Sequence, residues 1–443
     1  MAAIPIFIIG AETLLLYDLA RMRRFAIKYS KFKVVIRFKL LKNTVLLFLI
    51  VFVSCGNRIT AEFSNKLEVG ANRLPLYLPL LKGKNIGVVA NQTSVIFKSV
   101  SDSNQLNYKP QKNHTHLVDS LLSLGVTIKK VFAPEHGYRG LADAGEYVKN
   151  GIDLQTGLPI VSMYGKNRKP NPKDLIDLDI IIFDVQDVGA RFYTFTSTLH
   201  YMMEACAELK IKLIVLDRPN PNGHYIDGPV LDLNHRSFVG MHSVPIVHGM
   251  TVGEYASMIN GEQWLDNGIQ CDLQIIPMAN YDRQLGYDLP ILPSPNLPNS
   301  KAVNLYPSLC LFEGTNVSVG RGTHEQFQVF GSPYLHPDAF DYEFTPSPKI
   351  GAKFPKHNNT LCYGQTLKKT DTLGSLQLEW LIKAYKNTSD PTTFFNSFFT
   401  KLAGTTALQS QIENGWSVTA IKDSWSEGLE EFITMRSDYL LYP

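Results

Sequence analysis

D-I-I-I-F-D, Asp179 to Asp184, is the stretch on which the fold turns. Its four inner residues are apolar without alternation, which a strand with one wet face does not tolerate. The run is also too short for a buried helix. A strand covered on both faces, as in a parallel sheet, has this composition. Similar runs lie on either side: I-G-V-V-A (Ile86–Ala90), I-K-K-V-F-A (Ile128–Ala133), K-L-I-V-L-D (Lys212–Asp217) and L-Q-I-I-P (Leu273–Pro277). Segments with helical spacing separate them: Leu117–Leu124, stopped by Gly125, then Thr196–Leu209, then one after V-P-I-V-H-G that Thr251 can cap. Strand and helix alternate from Asn65 to Pro277, which predicts an α/β domain around a parallel sheet.

Proline then clusters in L-P-I-L-P-S-P-N-L-P (Leu289–Pro298), a linker or crossing between domains. A helix around Ala302–Phe312, a glycine-rich stretch, short strands and further helices come next. The last helix, within W-S-E-G-L-E-E-F-I-T-M-R-S-D-Y-L-L-Y (Trp425–Tyr442), is expected to pack onto this second part. The expected division is a signal or extraneous segment over 1–54, a linker over 55–79, the α/β domain over 80–290 and a smaller α+β domain over 291–443.

The formal net charge of +3 is carried by the N-terminus, where residues 21–54 hold nine Lys/Arg and no acid. The apolar run Val45–Val53 and S-C-G come after it, the grammar of an export signal. Nine apolar residues are too few to span a bilayer as a helix. S-C-G resembles a bacterial lipoprotein processing site, so Cys55 is the expected lipidation site and a periplasmic or outer-membrane-associated lipoprotein the expected product. The membrane is then a partner only through that anchor. From Cys55 onward 34 basic residues face 38 acidic ones, with no basic patch that would point to nucleic acid. The remaining cysteines, Cys206, Cys271, Cys310 and Cys362, follow no metal-ligand spacing and read as buried thiols.

Polar residues crowd the ends of the predicted strands. Asn91 follows the first, Glu135, His136 and Arg139 the second, and Asp184, Gln186, Asp187 and Arg191 the third. Asp217, Arg218 and Asn220 follow the fourth, and His248 a fifth. In a parallel sheet these carboxyl ends share one edge, where ligand crevices form. The sequence has no G-x-G-x-x-G after the first strand, no phosphate loop and no G-x-S-x-G elbow, so no cofactor is expected. The histidines make no compact ligand set, although His136, His248 and Asp184 could meet in space. Carboxylates are left. Glu135 and Glu313, the latter in F-E-G-T-N, could flank a cleft as glycoside hydrolysis requires.

Six ordered motifs carry a family likeness: F-A-P-E-H-G-Y-R-G, F-D-V-Q-D-V-G-A-R-F-Y-T-F, L-D-R-P-N-P-N-G, H-G-M-T-V-G-E-Y-A, P-S-P-N-L-P and F-E-G-T-N-V-S-V-G-R-G-T. From about Leu80 onward the chain resembles the exo-β-N-acetylmuramidases of glycoside hydrolase family 171. The resemblance implies a Rossmann-like domain joined to a smaller one, with the active site in the cleft between them. It further implies release of N-acetylmuramic acid from the non-reducing ends of peptidoglycan-derived saccharides. Carried onto this chain, it suggests Glu135 as acid/base, with His136 beside it, and Glu313 as second carboxylate. Arg191, Arg218 or Arg321 could hold the lactyl carboxylate, and Asn91, Gln186, Asp217, Asn220, Asn296 and Asn316 the hydroxyls or acetamido group. After G-R-G-T the sequence departs from the family pattern, so Gln326 and Tyr334 are expected to reshape a cleft wall.

Two other readings compete. One is a non-catalytic lipoprotein clamping a sugar between two lobes. The other is a metal-dependent amidase using His136, His248 and Asp184.

Overall fold

A computed structural model describes residues 66–98, 113–140, 146 and 150–443. The predicted signal segment and Cys55 lie outside the described residues. Twelve strands carry the architecture among them: β1 (Ile86–Ala90), β2 (Val95–Phe97), β3 (His114–His116), β4 (Ile128–Ala133), β5 (Gly151–Ile152), β6 (Pro159–Ser162), β7 (Ile180–Asp184), β8 (Lys212–Leu216), β9 (Leu273–Ile276), β10 (Val329–Ser332), β11 (Tyr342–Phe344) and β12 (Cys362–Thr366). The main sheet runs β5-β6-β4-β1-β7-β8-β9. All its pairs are parallel except β5 with β6 at one edge. Numbering only the six parallel strands gives the order 3-2-1-4-5-6, the doubly wound arrangement of dinucleotide-binding folds.

The apolar run I-I-I-F-D is β7, paired with β1 and β8 and buried throughout. Its alternate side chains feed two cores. Ile181 and Phe183 join the larger one, with Met202, Tyr255 and Phe312. Ile180 and Ile182 join the smaller one, with Leu117, Leu121 and Tyr77. A strand rotates successive side chains to opposite faces, so an unbroken apolar run needs cover on both.

Helix α1 (Leu117–Ser123) lies on the smaller core, and α2 (Phe195–Leu209) and α3 (Val252–Gly261) on the larger. Thr251 caps α3 as expected. Its hydroxyl accepts from the Glu254 amide at 3.2 Å, while the Glu254 carboxylate accepts from the Thr251 amide at 2.9 Å. Helix α4 (Ser300–Leu309) tightens into a 3-10 turn over Cys310–Gly314. A small antiparallel sheet, β10-β12-β11, and five short helices between Glu379 and Ser437 complete the chain.

Three expectations are corrected. The fifth polar strand end does not exist, because Val247 makes only isolated bridges to Ala190 and Asp227, and His248 follows no strand of the sheet. The described part of the expected linker, 66–79, is folded in: Gly70 donates to Asp217 and Tyr77 is fully buried. The last helix (Ser426–Ser437) and the C-terminal residues beyond it reach back to the first half of the chain. Arg436 donates to the Gly249 carbonyl at 2.7 Å, Tyr439 to Glu262 at 2.6 Å, and Tyr442 to Asp217 at 2.6 Å. Residues 66–443 accordingly form one compact unit. The four described cysteines are buried and unbridged.

Candidate active site

Strand β4 ends at Ala133, before Pro134, which has no amide to continue the ladder. The chain turns there, closed by the Gly137 amide on the Pro134 carbonyl at 3.0 Å. His136 sits in the left-handed region at φ 69°, a conformation that costs a non-glycine residue and recurs at functional sites. The turn separates its charged residues. Arg139 swings away to Asp153, 2.9 Å from Nη2 to Oδ2, and over the Tyr138 ring at 4.4 Å. Glu135 remains over the sheet edge.

Two hydroxyls meet Glu135. Thr194 Oγ1 donates to its Oε2 at 2.6 Å, and the Tyr164 phenol bonds it as well. Thr194 is the N-cap residue of α2, yet its side chain caps nothing in the helix. The hydroxyl that would satisfy a helix amide is given to the carboxylate. The arrangement also brings the positive end of a fifteen-residue helix to Glu135.

Glu313 arrives from the other side, on the 3-10 turn after α4. Gly314 fixes its place: a Cβ there would lie 2.4 Å from the Phe399 Cα, so only glycine lets the two segments touch. Arg321 Nε donates to Glu313 Oε1 at 3.2 Å, and its guanidinium stands over the Phe327 ring at 4.9 Å. Lys356 ties the surrounding loop, its ammonium donating to the carbonyls of Thr315 at 2.6 Å and Val317 at 3.0 Å. Burial lowers the Lys356 pKa, and the Glu313 charge opposes that fall.

Both carboxylates line one cavity of about 910 Å³, at the upper end for small-molecule sites. Aromatic walls enclose it: Tyr164, Phe192, Tyr193, Phe238, Tyr306, Phe327, Phe354 and Phe398. Tyr193 and Tyr306 meet edge to face at 5.7 Å, and burial raises both phenols well above their ordinary pKa. Asn296, on the predicted proline-rich crossing, is buried; its Nδ2 donates to Gly351 at 2.7 Å while its Oδ1 has no partner among the described residues. Lys353 reaches Glu146 at 2.7 Å across the rim.

Of the residues read from the sequence, the cavity gathers Glu135, His136, Asn296, Glu313 and Arg321. The others lie elsewhere. Asp184 and Arg218 form a buried bidentate pair, 2.6 Å and 2.8 Å, at the point where the strand order reverses. Ser94 adds a bond to the Asp184 carbonyl, and Thr93 bridges Asn91 and Gln186. Side chains therefore fill the crevice where related folds hold a dinucleotide. Arg191 is buried and donates to the carbonyls of Pro229, Val244, Leu402 and Ala403, leaving its fork no room for a ligand. Asp217 accepts from Thr251 at 2.7 Å and Tyr442 at 2.6 Å. Asn220 braces Met250 and Asn222. Asn316 is outside the lining, as are Gln326 and Tyr334, while their neighbour Phe327 is in it.

Asp187 and His248 stand together, buried and outside the cavity lining, His248 Nε2 lying 4.0 Å from Asp187 Oδ2. Burial raises the Asp187 pKa to about 7 and lowers that of His248 to about 3. Among the described residues no three His, Cys, Asp or Glu side chains converge on a metal position, and Asp184 is already committed to Arg218.

Sequence reading missed Tyr164, Arg168, Tyr193, Thr194 and the loop Gly351–Lys356. The signal for Tyr164 and Arg168 was L-P-I-V-S, the short apolar run that becomes β6 and carries them to the same sheet edge. Thr194 was inside a quoted motif but has no charge to draw the eye.

The sequence matches the family description "Exo-beta-N-acetylmuramidase NamZ, N-terminal" over residues 86–301 and its C-terminal counterpart over 304–442. A Bacillus subtilis (strain 168) protein named peptidoglycan beta-N-acetylmuramidase NamZ is 38% identical over 403 residues, covering 85% of this chain and 92% of its own length. Two crystal structures of DUF1343 family proteins from Bacteroides fragilis share the fold. One has TM-score 0.75 and 44% identity, the other 0.70 and 26%, each covering 85% of this chain and 99% of its own.

Proposed function

This chain belongs to the exo-β-N-acetylmuramidase family, and from that premise we propose that the cavity holding Glu135 and Glu313 is where it hydrolyses its substrate. The enzyme is a glycoside hydrolase, and the bond it breaks links N-acetylmuramic acid to the rest of a peptidoglycan fragment at the non-reducing end.

The observation that carries the site is the pairing of two carboxylates in unlike surroundings. Glu313 has cationic neighbours, the Arg321 guanidinium at 3.2 Å and the Lys356 ammonium close by. Glu135 has neutral hydroxyl partners in Thr194 and Tyr164. Two carboxyl groups with unlike environments divide the work of glycoside hydrolysis. Glu135 passes a proton to the glycosidic oxygen and recovers one from water. Glu313 stabilises positive charge developing at the anomeric carbon. Asn296 Oδ1 is an acceptor suited to the acetamido N–H, and the aromatic walls cover the ring faces.

A chromogenic β-N-acetylmuraminide, offered beside the matching glucosaminide, tests the reading. Release from the muraminide should fall by roughly 10²–10⁴ in Glu135→Gln, the range for losing an acid–base group, with the melting temperature nearly unchanged. An active Glu135→Gln enzyme would remove Glu135 from the role. The basic and apolar N-terminal segment supports export and lipidation at Cys55. Labelled palmitate incorporation that survives Cys55→Ala would refute that part.

A further inference from the structure

Arg168, Arg321, Lys353, Lys356 and Lys401 are the Lys and Arg side chains lining the cavity. Arg321 is committed to Glu313, Lys353 to Glu146, and the Lys356 ammonium to backbone carbonyls. Arg168 is held differently. Its guanidinium stands over the Phe238 ring, 4.4 Å from the centroid, and makes no hydrogen bond or ion pair among the described residues. Phe238 packs against Tyr164 at 5.9 Å, and Tyr164 is the phenol that bonds Glu135. One aromatic ring thus separates this uncommitted guanidinium from the contacts of the proposed acid. Ser237, preceding Phe238, also lines the cavity, and its buried hydroxyl has no partner among the described residues.

We propose that Arg168, with the Ser237 hydroxyl of the same cavity, is the specificity-determining residue that binds the carboxylate on the sugar ring whose glycosidic bond Glu135 cleaves. This rests on the muramidase reading of the cavity. A muramic ring differs from a glucosamine ring by the lactyl acid on its O3. Since C1 and C3 belong to one pyranose, the group that recognises that acid must line the same cavity as the catalytic carboxylate. Arg168 lines it, and its charge acts on the Tyr164 phenol that bonds Glu135. The guanidinium fork matches a carboxylate with two parallel N–H donors, and its stack on Phe238 sets its plane beforehand, so less freedom is lost on binding. Lys401, on the short helix Phe399–Ala403, offers only a point charge, and its ammonium makes no ion pair among the described residues. Arg191 and Arg218, the candidates from sequence, are buried, the first with both terminal nitrogens on backbone carbonyls and the second paired with Asp184.

The test compares a chromogenic β-N-acetylmuraminide with the methyl ester of its lactyl group, using wild type, Arg168→Gln, Arg168→Lys and Lys401→Gln. Wild type should cleave the ester with kcat/KM lower by about ten- to a hundredfold, the scale of a charge-assisted bidentate contact. Arg168→Gln should lose a similar factor on the acid and little on the ester, so that its ester penalty collapses towards one. Arg168→Lys should lie between, and Lys401→Gln should keep the full penalty. A penalty that persists in Arg168→Gln, or vanishes in Lys401→Gln, overturns the assignment. Wild type that cleaves neither compound would instead overturn the muramidase reading on which the assignment rests. Arg168 is exposed, so equal melting temperatures for its variants should separate these outcomes from misfolding.

Discussion

Thr194 gives its hydroxyl to Glu135, at 2.6 Å, and withholds it from the helix it begins. The N-cap position is where a threonine ordinarily stabilises a helix by about 1 kcal/mol. Here that stabilisation is absent, and the donor orients a carboxylate instead.

Thr194→Val should therefore behave unlike an ordinary cap deletion. We expect kcat to fall by about tenfold, one hydrogen bond's worth, with a melting temperature within about two degrees of wild type. Thr194→Ser should restore turnover. A large thermal loss with unchanged kcat would mean that the hydroxyl serves the helix after all.

Arg321 and Glu313 form the second pair. Arg321→Met keeps much of the stack on Phe327 and removes the guanidinium that donates to Glu313. Turnover should fall by about 10²-fold, because the carboxylate loses the charged donor that fixes its position. Unchanged turnover would show that the Arg321–Glu313 pair has no part in the reaction.

Arg218 supplies a contrast. It is buried against Asp184 at the sheet's reversal point and does not line the cavity. Arg218→Met strands a buried carboxylate and should cost about 3–5 kcal/mol in chemical denaturation. Whatever enzyme remains folded should keep its KM. A variant of normal stability and raised KM would show that the crevice takes substrate.

Asp187 and His248 make opposite contributions to the pH dependence of stability. The folded His248 pKa, near 3, lies below the unfolded value of about 6.5. Its contribution is complete above pH ~6.5 and is lost as pH falls towards 3, because the unfolded chain then holds more protons. The folded Asp187 pKa, near 7, lies above the unfolded value of about 3.9, so its contribution is complete below pH ~4 and lost as pH rises through 7. His248→Asn should flatten the acid limb of a melting-temperature profile, and Asp187→Asn the fall between pH ~4 and ~7. Parallel profiles for wild type and both variants would exclude these groups.

The sheet was legible because burial on two faces leaves no choice of composition: β1, β4, β7, β8 and β9 are apolar runs in the sequence. Strand β6 was not, since it is short, begins with proline and lies near the edge. Glu135 and Glu313 were legible as isolated acids beside structure-breaking residues. The destination of a polar side chain at a strand end was not. Asp184, Arg218 and Glu135 all follow strands on one edge, but two of them neutralise each other in the core and only one faces the cavity. Periodicity reports which face a residue occupies, and side-chain pairing across distant segments decides the rest. Arg191 illustrates this, because its partners Leu402 and Ala403 lie more than two hundred residues away.

The filled crevice at the reversal of strand order divides the labour of this sheet edge. Both Asp184 oxygens are taken by Arg218, which also donates to the Val95 carbonyl, so a substitution there is felt first as lost folding. Beyond β1 and β4, the walls come from the turn after β6 and the loop Gly351–Lys356, whose Phe354 is almost wholly exposed. Variation can accumulate in that rim while the neighbouring rivet stays fixed. Relatives of this enzyme can thus acquire new saccharide preferences at little risk to the scaffold beneath.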